Sequence, residues 1–426
     1  MAKTTPRPAD LLLLDAAEVV CVDDGRPGPA VGQAARDLGV IEGGGLAVRG
    51  GRIVGLGPSA EIQRTFKASK RVRLAGRTVL PGLVECHTHP VFARWRENEF
   101  AMRCEGADYE AILAAGGGIH ASAAALRDAP RADLVTGTRR RLDDFLAHGV
   151  VAVEGKSGYG LTPETEIRSL DVLRAAGRNH PVHVERTFLG AHVVPKAYAD
   201  KRAAYVRQVM HDMLPVVAKR KLARFCDVFV ERGAFTVDEA RTIFRAAKRL
   251  GLVPKVHADQ FRDGGGALLA AEVGAVSAEH VDATGPVGRA ALAKAGVIAV
   301  LLPTAAVFTG LAHRPDARAL LDAGVAVALS TDLNPGTSPT ANLALAAGLG
   351  TSLLGMTPAE TITAITRNAA CAIGQDERFG RLAVGRPATF TVLDAPSHVH
   401  LPYRLGQNLV ESVWVRGERV FRAVRP

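Results

Sequence analysis

The sequence predicts an α/β protein made of a (β/α)₈ TIM-type barrel and a small β-sandwich domain that the N- and C-terminal segments form together. Three observations support this prediction: a length of 426 residues, strand-like runs at both ends, and a regular alternation of apolar runs with helix-like stretches between them. A chain of this length suits a large barrel with a smaller partner. We expect the sandwich in residues 1–77 and 381–426 and the barrel in residues 78–380.

The two ends of the chain have the pattern of β-strands. Near the start, LLLLDAAEVVCV and GLAVRGGRIVGLGP are short apolar runs broken by glycine and aspartate, and the second run resembles a hairpin. Near the end, ATFTVLDA and VESVWVRGERVF alternate in the strand period. We therefore expect one β layer to be assembled from both ends.

The middle of the chain contains eight apolar runs that we expect to form the barrel strands. Helix-like stretches such as Thr236–Leu250 and Ala283–Ala295 separate most of them. A doubly wound open sheet is the alternative, although no GxGxxG motif follows the first run, which disfavours its dinucleotide-binding form. The predicted strands are Thr78–Cys86, Val150–Lys156, Val182–Leu189, Cys226–Glu231, Val253–His257, Ala275–Glu279, Val297–Leu302 and Val325–Ser330.

Composition and charge favour a soluble enzyme. The chain is 47% hydrophobic and 23% charged, with a formal net charge of +10. Its densest basic runs, Arg139–Arg141 and Lys219–Lys221, lie in helix-like stretches without interleaved aromatic residues, so we interpret them as solvated helix faces and expect no nucleic-acid binding. The five cysteines lack paired spacing, and no apolar run is long enough for a membrane span. The apolar run near the N-terminus is too short for a signal peptide, so we expect a cytoplasmic protein.

Histidines and one aspartate stand at the predicted strand ends. His87 and His89 are two apart in a strand, so they share one face. His257 ends the fifth strand, His280 ends the sixth, and Asp332 follows the eighth. Each residue alone has a structural alternative, such as helix capping by Asp332, but together they predict one metal ion, either divalent zinc or iron as Fe²⁺ or Fe³⁺.

A second metal is possible in such barrels, often bridged by a modified lysine. The fourth predicted strand ends at Glu231 and Arg232, where no lysine is available, and Lys156 ends the second strand. We therefore expect a mononuclear site and a structural role for Lys156.

The motif PGLVECHTHPVF, followed by KVHADQF, SAEHV and STDLNPGTSP, resembles the amidohydrolase superfamily. Within it, the sequence resembles the imidazolonepropionase family through RENEFAMRCEGADYEAILAAGGGI, KSGYGLTPETE, TFLGAH and HADQF. The likeness extends from the N-terminal strands to RLAVGRPATFTVLD. It implies hydrolysis of the cyclic amide of 4-imidazolone-5-propanoate to N-formimino-L-glutamate, the third step of histidine degradation, by a homodimer.

The resemblance also implies a set of site residues. It implies metal ligation by His87, His89, His257 and Asp332, with His280 near the attacking water. It implies substrate or product contacts from Arg96, Tyr159, His192, Asn334, Gly336 and Thr337. An arginine suits the propionate because a guanidinium binds a carboxylate with two hydrogen bonds, and backbone N–H groups of the turn at residues 334–337 are further candidate donors to a carboxylate.

Two positions depart from the family pattern. Some members carry glutamate where this chain has Gln260, which can hydrogen-bond the ring or the water but cannot act as a base. General-base catalysis is therefore expected from Asp332 or His280. Arg232 stands where relatives often carry histidine, which leaves the contacts of the fourth strand open.

Two other functions compete with this interpretation. A deaminase of the same superfamily could use the same metal site on a nucleobase-like ring, but a neutral nucleobase has no need for Arg96. A non-catalytic barrel would be expected to lack some of the ligands, and all four are present.

Overall fold

A computed structural model of the chain describes residues 6–107, 111, 115–311 and 313–424. Residues 108–110 and 112–114 of the RENEF motif lie outside the described residues. The chain divides into two compact units. One unit comprises Met1–Cys86, Asp144–Ala152 and Asn342–Pro426, and the other comprises His87–Asp143 and Val153–Ala341.

Eight strands form one sheet in strict chain order, as the (β/α)₈ prediction requires. Two hydrogen bonds link the segment after the last strand to the first strand: Ser330 Oγ donates to His87 O (2.9 Å), and the His89 N–H donates to Leu333 O (2.8 Å). The predicted barrel class is confirmed. The barrel strands, numbered first to eighth below, are Leu83–Thr88, Val150–Lys156, His183–Ala191, Phe225–Val230, Val253–Ala258, Ser277–His280, Ile298–Leu301 and Val327–Leu329.

Helices alternate with these strands and begin at recognisable caps. The helix Val237–Arg249 starts at a capping box, in which the Thr236 side chain accepts from the Glu239 N–H and Glu239 binds the Thr236 N–H. Its buried face includes Ile243 and Phe244. The other helices following the first strand are Glu97–Cys104, Ile119–Asp128, Arg131–Ala147, Pro163–Gly177, Arg202–Gln208, Leu214–Lys219, Gly266–Val273, Pro286–Ala295, Pro303–Thr309, Ala317–Asp322, Leu343–Leu354, Pro358–Ala364, Arg367–Ala372 and His400–Tyr403, with a π-helical turn at Val209–Met213 and a 3₁₀ turn at Lys196–Lys201.

Strands from both ends of the chain pair with one another, as expected. A six-stranded sheet has the order Glu418–Arg422, Val410–Val415, Phe390–Leu393, Thr78–Pro81, Glu18–Val20, Val40–Glu42. A four-stranded sheet has the order Arg52–Pro58, Gly44–Arg49, Leu11–Leu14, Lys70–Arg73. Both sheets contribute to one buried apolar cluster that includes Leu13, Val48, Phe390 and Trp414. The domain limits at residues 77/78 and 380/381 stay a prediction.

Short elements complete the N-terminal region. The two-residue strands Arg7–Pro8 and Phe66–Lys67 pair in parallel. A helix at Ser59–Thr65 and a 3₁₀ turn at Gly32–Ala35 lie between strands. None of the helices in the part of the chain that the structure describes combines the length and the apolarity needed to cross a membrane.

The first predicted strand is wrong in its extent. The apolar run Thr78–Cys86 divides at Gly82: Thr78–Pro81 pairs with Phe390–Leu393, whereas Leu83–Thr88 begins the barrel. A Cβ at Gly82 would lie 2.5 Å from a Val151 methyl group, so the break requires glycine. A continuous apolar run does not reveal which sheet each half joins.

Candidate metal centre

The strand ends bring the predicted histidines and aspartate together. The ring centroids of His87 and His257 are 4.5 Å apart, and those of His87 and His89 are 5.3 Å apart. His280 lies 5.4 Å from His257 by the same measure. Asp332 Oδ1 is 3.5 Å from His87 Nε2 and 3.6 Å from His89 Nε2. All five residues are buried, none more than 4% exposed.

Two of these residues have unusual backbone conformations. His280 has φ of 72° and Asp332 has φ of 54°, so both are left-handed residues other than glycine. Such conformations cost on the order of 1–3 kcal/mol and concentrate at functional sites. His280 is the last residue of the sixth strand and Asp332 lies three residues after the eighth, so both unusual conformations occur where a strand ends.

The chemistry of the cluster fits a cation. Ligand atoms of His87, His89 and Asp332 lie within 4.8 Å of one another, as do those of His87, His257 and His280. His87 Nε2 and His257 Nε2 are buried and have no hydrogen-bond partner among the described residues. A buried nitrogen without a partner is unfavourable, so these two atoms suit a metal ion that would accept their lone pairs.

Burial and neighbouring charges set the protonation of the cluster. Burial lowers the pKa of His257 to about 3 and holds the pKa of His89 well below its usual value, so both are neutral. Burial acts against charge on His87 as well, but the Glu279 carboxylate outweighs it and raises the pKa of His87 to about 9. Burial opposes ionisation of Asp332, yet His87 lowers its pKa. Metal ions bind deprotonated ligands, so cation binding would displace the proton from His87.

Tyr159 and His192 border the cluster. The His192 ring stacks on His89 at 5.3 Å, and the Tyr159 ring lies 5.6 Å from each of these histidines. Burial lowers the pKa of His192 to about 4, so the ring is neutral. Its Nδ1 is 3.1 Å from Gly158 O, which can only accept, so Nδ1 carries the proton and Nε2 is an acceptor. Burial also raises the pKa of Tyr159, which keeps the phenol protonated.

Arg96 already has an acidic partner. Its Nε and Nη2 donate to the two Glu99 oxygens at 3.0 and 2.8 Å, and Glu99 Oε1 also accepts the Gly118 N–H at 2.9 Å. The guanidinium lies against Gly336, where a Cβ would be 2.3 Å from Arg96 Cζ. The Nη1 side of the guanidinium is not used by Glu99 and remains the candidate for a second carboxylate.

The turn after Asp332 is organised by Asn334. The N–H groups of Gly336 and Thr337 donate to Asn334 Oδ1 at 2.9 and 2.8 Å, and Asn334 Nδ2 donates to Asp332 O at 2.7 Å. The backbone donors expected for a substrate carboxylate are therefore engaged within the turn. Contacts from this turn to substrate stay a prediction.

Gln260 and Arg232 are less engaged. Gln260 is half-buried three residues after His257, and Arg232 is exposed. The structure records no hydrogen bond from the Gln260 side chain to a described residue, so its predicted catalytic and binding roles stay predictions.

Sequence reasoning missed a fully buried charged network. It contains Lys156, which was expected to be only structural, and four other residues: Glu154, Asp227, Lys255 and Glu279. Glu279 Oε2 is 2.6 Å from His87 Nδ1. The available signal was a charged residue inside an apolar strand at the same-face position, as Lys255 is two residues before His257.

Two carboxylates that shape loops were also missed. Glu166 accepts the N–H groups of Gly158, Gly160 and Leu161, which flank Tyr159. Asp259 accepts the N–H groups of Gly264 in the loop after the fifth strand and of Gly266 and Ala267 at the start of the helix Gly266–Val273. Both lie inside the quoted motifs, but only the fold reveals which backbone groups they bind.

Comparison with known proteins places this site in context. Residues 95–421 match the model of the amidohydrolase family. The chain is 44% identical over 419 residues to an imidazolonepropionase from Geobacillus sp. strain WCH70. The aligned region covers 97% of this chain and 99% of that protein. It is 43% identical over 415 residues to an imidazolonepropionase from Solibacter usitatus, with coverage of 97% and 99%.

Solved structures share the fold at much lower identity. An adenosine deaminase from Xanthomonas campestris with bound zinc has a TM-score of 0.72 and 20% identity, covering 97% of this chain and 93% of that one. Guanine deaminase from E. coli has a TM-score of 0.72 and 13% identity, covering 97% and 99%. These matches support the barrel architecture.

Proposed function

This chain belongs to the imidazolonepropionase family of the amidohydrolases, and on that premise we propose that it hydrolyses 4-imidazolone-5-propanoate to N-formimino-L-glutamate. The observation that carries the proposal is the position of Arg96, whose backbone N–H donates to Pro335 O at 3.1 Å and whose guanidinium packs against Gly336, in the turn that follows Asp332. A cation for the propionate therefore lies beside the segment that carries the carboxylate for proton transfer.

One divalent cation, zinc or iron, is held in this proposal by His87, His89, His257 and Asp332. The unpartnered Nε2 atoms of His87 and His257 support this ligand set. When bound, the cation would supply Lewis acidity, which lowers the pKa of water so that a hydroxide nucleophile is available at neutral pH, and which polarises a carbonyl group.

Asp332 acts as general base and then as general acid. It accepts a proton from the attacking water, whose oxygen bonds to the ring carbonyl carbon. The ring C–N bond then breaks, and Asp332 returns the proton to the departing nitrogen. His280 orients the water, and Gln260 contributes a hydrogen bond without accepting a proton.

Substrate binding uses the residues around Arg96. The Nη1 side of its guanidinium, which Glu99 does not use, binds the propionate with charge-assisted hydrogen bonds. His192 accepts from a ring N–H through Nε2, and the Tyr159 hydroxyl donates to the ring or the tail. The turn of Asn334, Gly336 and Thr337 contacts substrate or product from the other side of Arg96.

We further propose that the protein is a cytoplasmic homodimer that binds a small-molecule substrate and no nucleic acid. The five cysteines support a reducing compartment because all of them are free thiols. Light scattering after gel filtration would measure the oligomeric state, and a monomer would contradict the dimer.

Product analysis tests the function. Metal-loaded protein is incubated with 4-imidazolone-5-propanoate, and N-formimino-L-glutamate is sought by mass spectrometry, with His257→Ala as the control. We expect product with the unaltered protein and none with the variant. No product from metal-replete protein would contradict the proposal, and release of ammonia from a nucleobase would support the deaminase instead.

A further inference from the structure

Beneath the metal centre lies a layer of charged side chains that the proposed catalytic steps do not use. Its members are 0% exposed and alternate in sign, so each carboxylate contacts at least one lysine: Glu154, Lys156, Asp227, Lys255 and Glu279. Even when buried charges are paired, the cost of removing them from water often cancels their attraction, so apolar residues of similar volume would be about as stable. A layer of this kind therefore needs a reason beyond stability.

Two carboxylates of this layer touch the outer nitrogens of predicted metal ligands. Glu279 Oε2 lies 2.6 Å from His87 Nδ1, and Asp227 Oδ2 lies 2.8 Å from His257 Nδ1. Asp227 Oδ1 also accepts the His257 backbone N–H at 3.2 Å, which fixes the carboxylate relative to its strand neighbour. Each imidazole therefore has a carboxylate beside Nδ1: the His87 contact is a hydrogen bond, the His257 contact is a close approach outside hydrogen-bond geometry, and Nε2 of both rings has no hydrogen-bond partner among the described residues.

Lys156 joins the two carboxylates. Its Nζ is 2.7 Å from Glu279 Oε2 and 2.8 Å from Asp227 Oδ2, the same two oxygens that face the imidazoles. Lys255 instead contacts Glu154 Oε2 and the other Glu279 oxygen, both at 2.7 Å. Lys156 is therefore the cation that both histidine-facing carboxylates share.

A carboxylate beside Nδ1 favours one tautomer of a neutral histidine. A carboxylate accepts the Nδ1 proton, which leaves the Nε2 lone pair free for a cation. We propose that Asp227 and Glu279, joined by Lys156, are positioning residues that orient His257 and His87 for metal binding. This inference rests on the metal site of the proposed function, but it does not depend on which ring the enzyme opens.

The test measures metal affinity rather than turnover. The Zn²⁺ dissociation constant of the full-length protein is determined by chelator competition for Glu279→Gln and Asp227→Asn. An amide can donate to Nδ1 and so favour the wrong tautomer. We expect each variant to bind Zn²⁺ about 10- to 100-fold more weakly, the usual effect of losing an outer-shell partner of a ligating histidine.

Glu154→Gln is the matched control. Glu154 is as buried as Glu279 and contacts the same two lysines, but the structure records no hydrogen bond or ion pair from it to a ligand imidazole. We expect its Zn²⁺ affinity to stay near that of the unaltered protein. Equal losses in Glu154→Gln and Glu279→Gln would overturn the inference, because the layer would then act only through charge or stability.

A second measurement avoids variants that fail to fold. Nitrogen-15 spectra of the Zn²⁺-loaded, histidine-labelled protein report which ring nitrogen carries a proton. We expect Nδ1–H on both His87 and His257, and a proton-free Nδ1 on either would overturn the inference. If the protein opens the ring but fails these tests, only this inference is wrong. If it passes these tests but does not open the ring, only the proposed substrate is wrong.

Discussion

At the residue scale, Arg96 separates a substrate with a carboxylate tail from a neutral ring. We predict that Arg96→Ala lowers kcat/KM by about 10- to 100-fold, mainly through KM, because a hydrogen bond to a charged group is worth roughly 1.5–3 kcal/mol. Metal content should not change. Steady-state kinetics and metal analysis check both expectations, with exposed Arg94→Ala from the same loop as the control. Metal loss in Arg96→Ala would contradict the assignment.

Gly336 provides an independent residue-scale test of the same cation. A Cβ there would lie 2.3 Å from Arg96 Cζ, so Gly336→Ala must displace the guanidinium. We predict a higher KM with little change in metal content. Gly264→Ala is a suitable control because its nearest contacts are 3.8 Å away. An unchanged KM in Gly336→Ala would show that the position of Arg96 does not govern substrate binding.

The sequence predicted the central cluster but not its support. His87, His89, His257, His280 and Asp332 could be predicted because each stands at the end of an apolar run, and such ends converge in a barrel. The Glu279–His87 contact could not be predicted. These residues are 192 positions apart, and their 2.6 Å separation depends on strand register and closure.

At the element scale, the Glu166 side chain stabilises the loop that contains Tyr159. Its carboxylate accepts three backbone N–H groups, at 2.9 Å from Gly158, 2.6 Å from Gly160 and 2.8 Å from Leu161. We predict that Glu166→Ala lowers both kcat/KM and thermal stability, because each buried donor left without a partner costs about 1–3 kcal/mol. Calorimetry and kinetics check this.

Glu164→Ala is the control for this loop because Glu164 is exposed on the same helix. It should resemble the unaltered protein in both measurements. A Glu166→Ala variant with normal KM would mean that the loop does not need this carboxylate to place Tyr159.

Strand positions followed closely from apolar periodicity, and Val150–Lys156 was predicted to the residue. The run Thr78–Cys86 was misassigned as one strand because both of its halves are buried and mostly apolar. Hydrophobicity reports that a segment is buried, but partner strands decide which sheet it joins.

At the scale of the whole molecule, metal binding should stabilise the folded chain. The unfolded chain does not preassemble the four ligands, so the cation binds mainly the native state. At about 100 times its dissociation constant, a ligand stabilises by roughly 2.7 kcal/mol, which corresponds to a midpoint shift on the order of 5 °C. Differential scanning fluorimetry with and without chelator measures this shift, and His257→Ala should show none. Equal unfolding midpoints for metal-loaded and chelated protein would contradict preferential binding of the metal to the folded chain.

The central claim is one metal ion held by His87, His89, His257 and Asp332. Anomalous diffraction from crystals of the zinc-loaded protein, collected on both sides of the zinc absorption edge, tests it most directly. We predict a single peak within bonding distance of these four side chains. A peak in the carboxylate layer around Lys156, or no ordered peak in metal-replete crystals, would contradict the account.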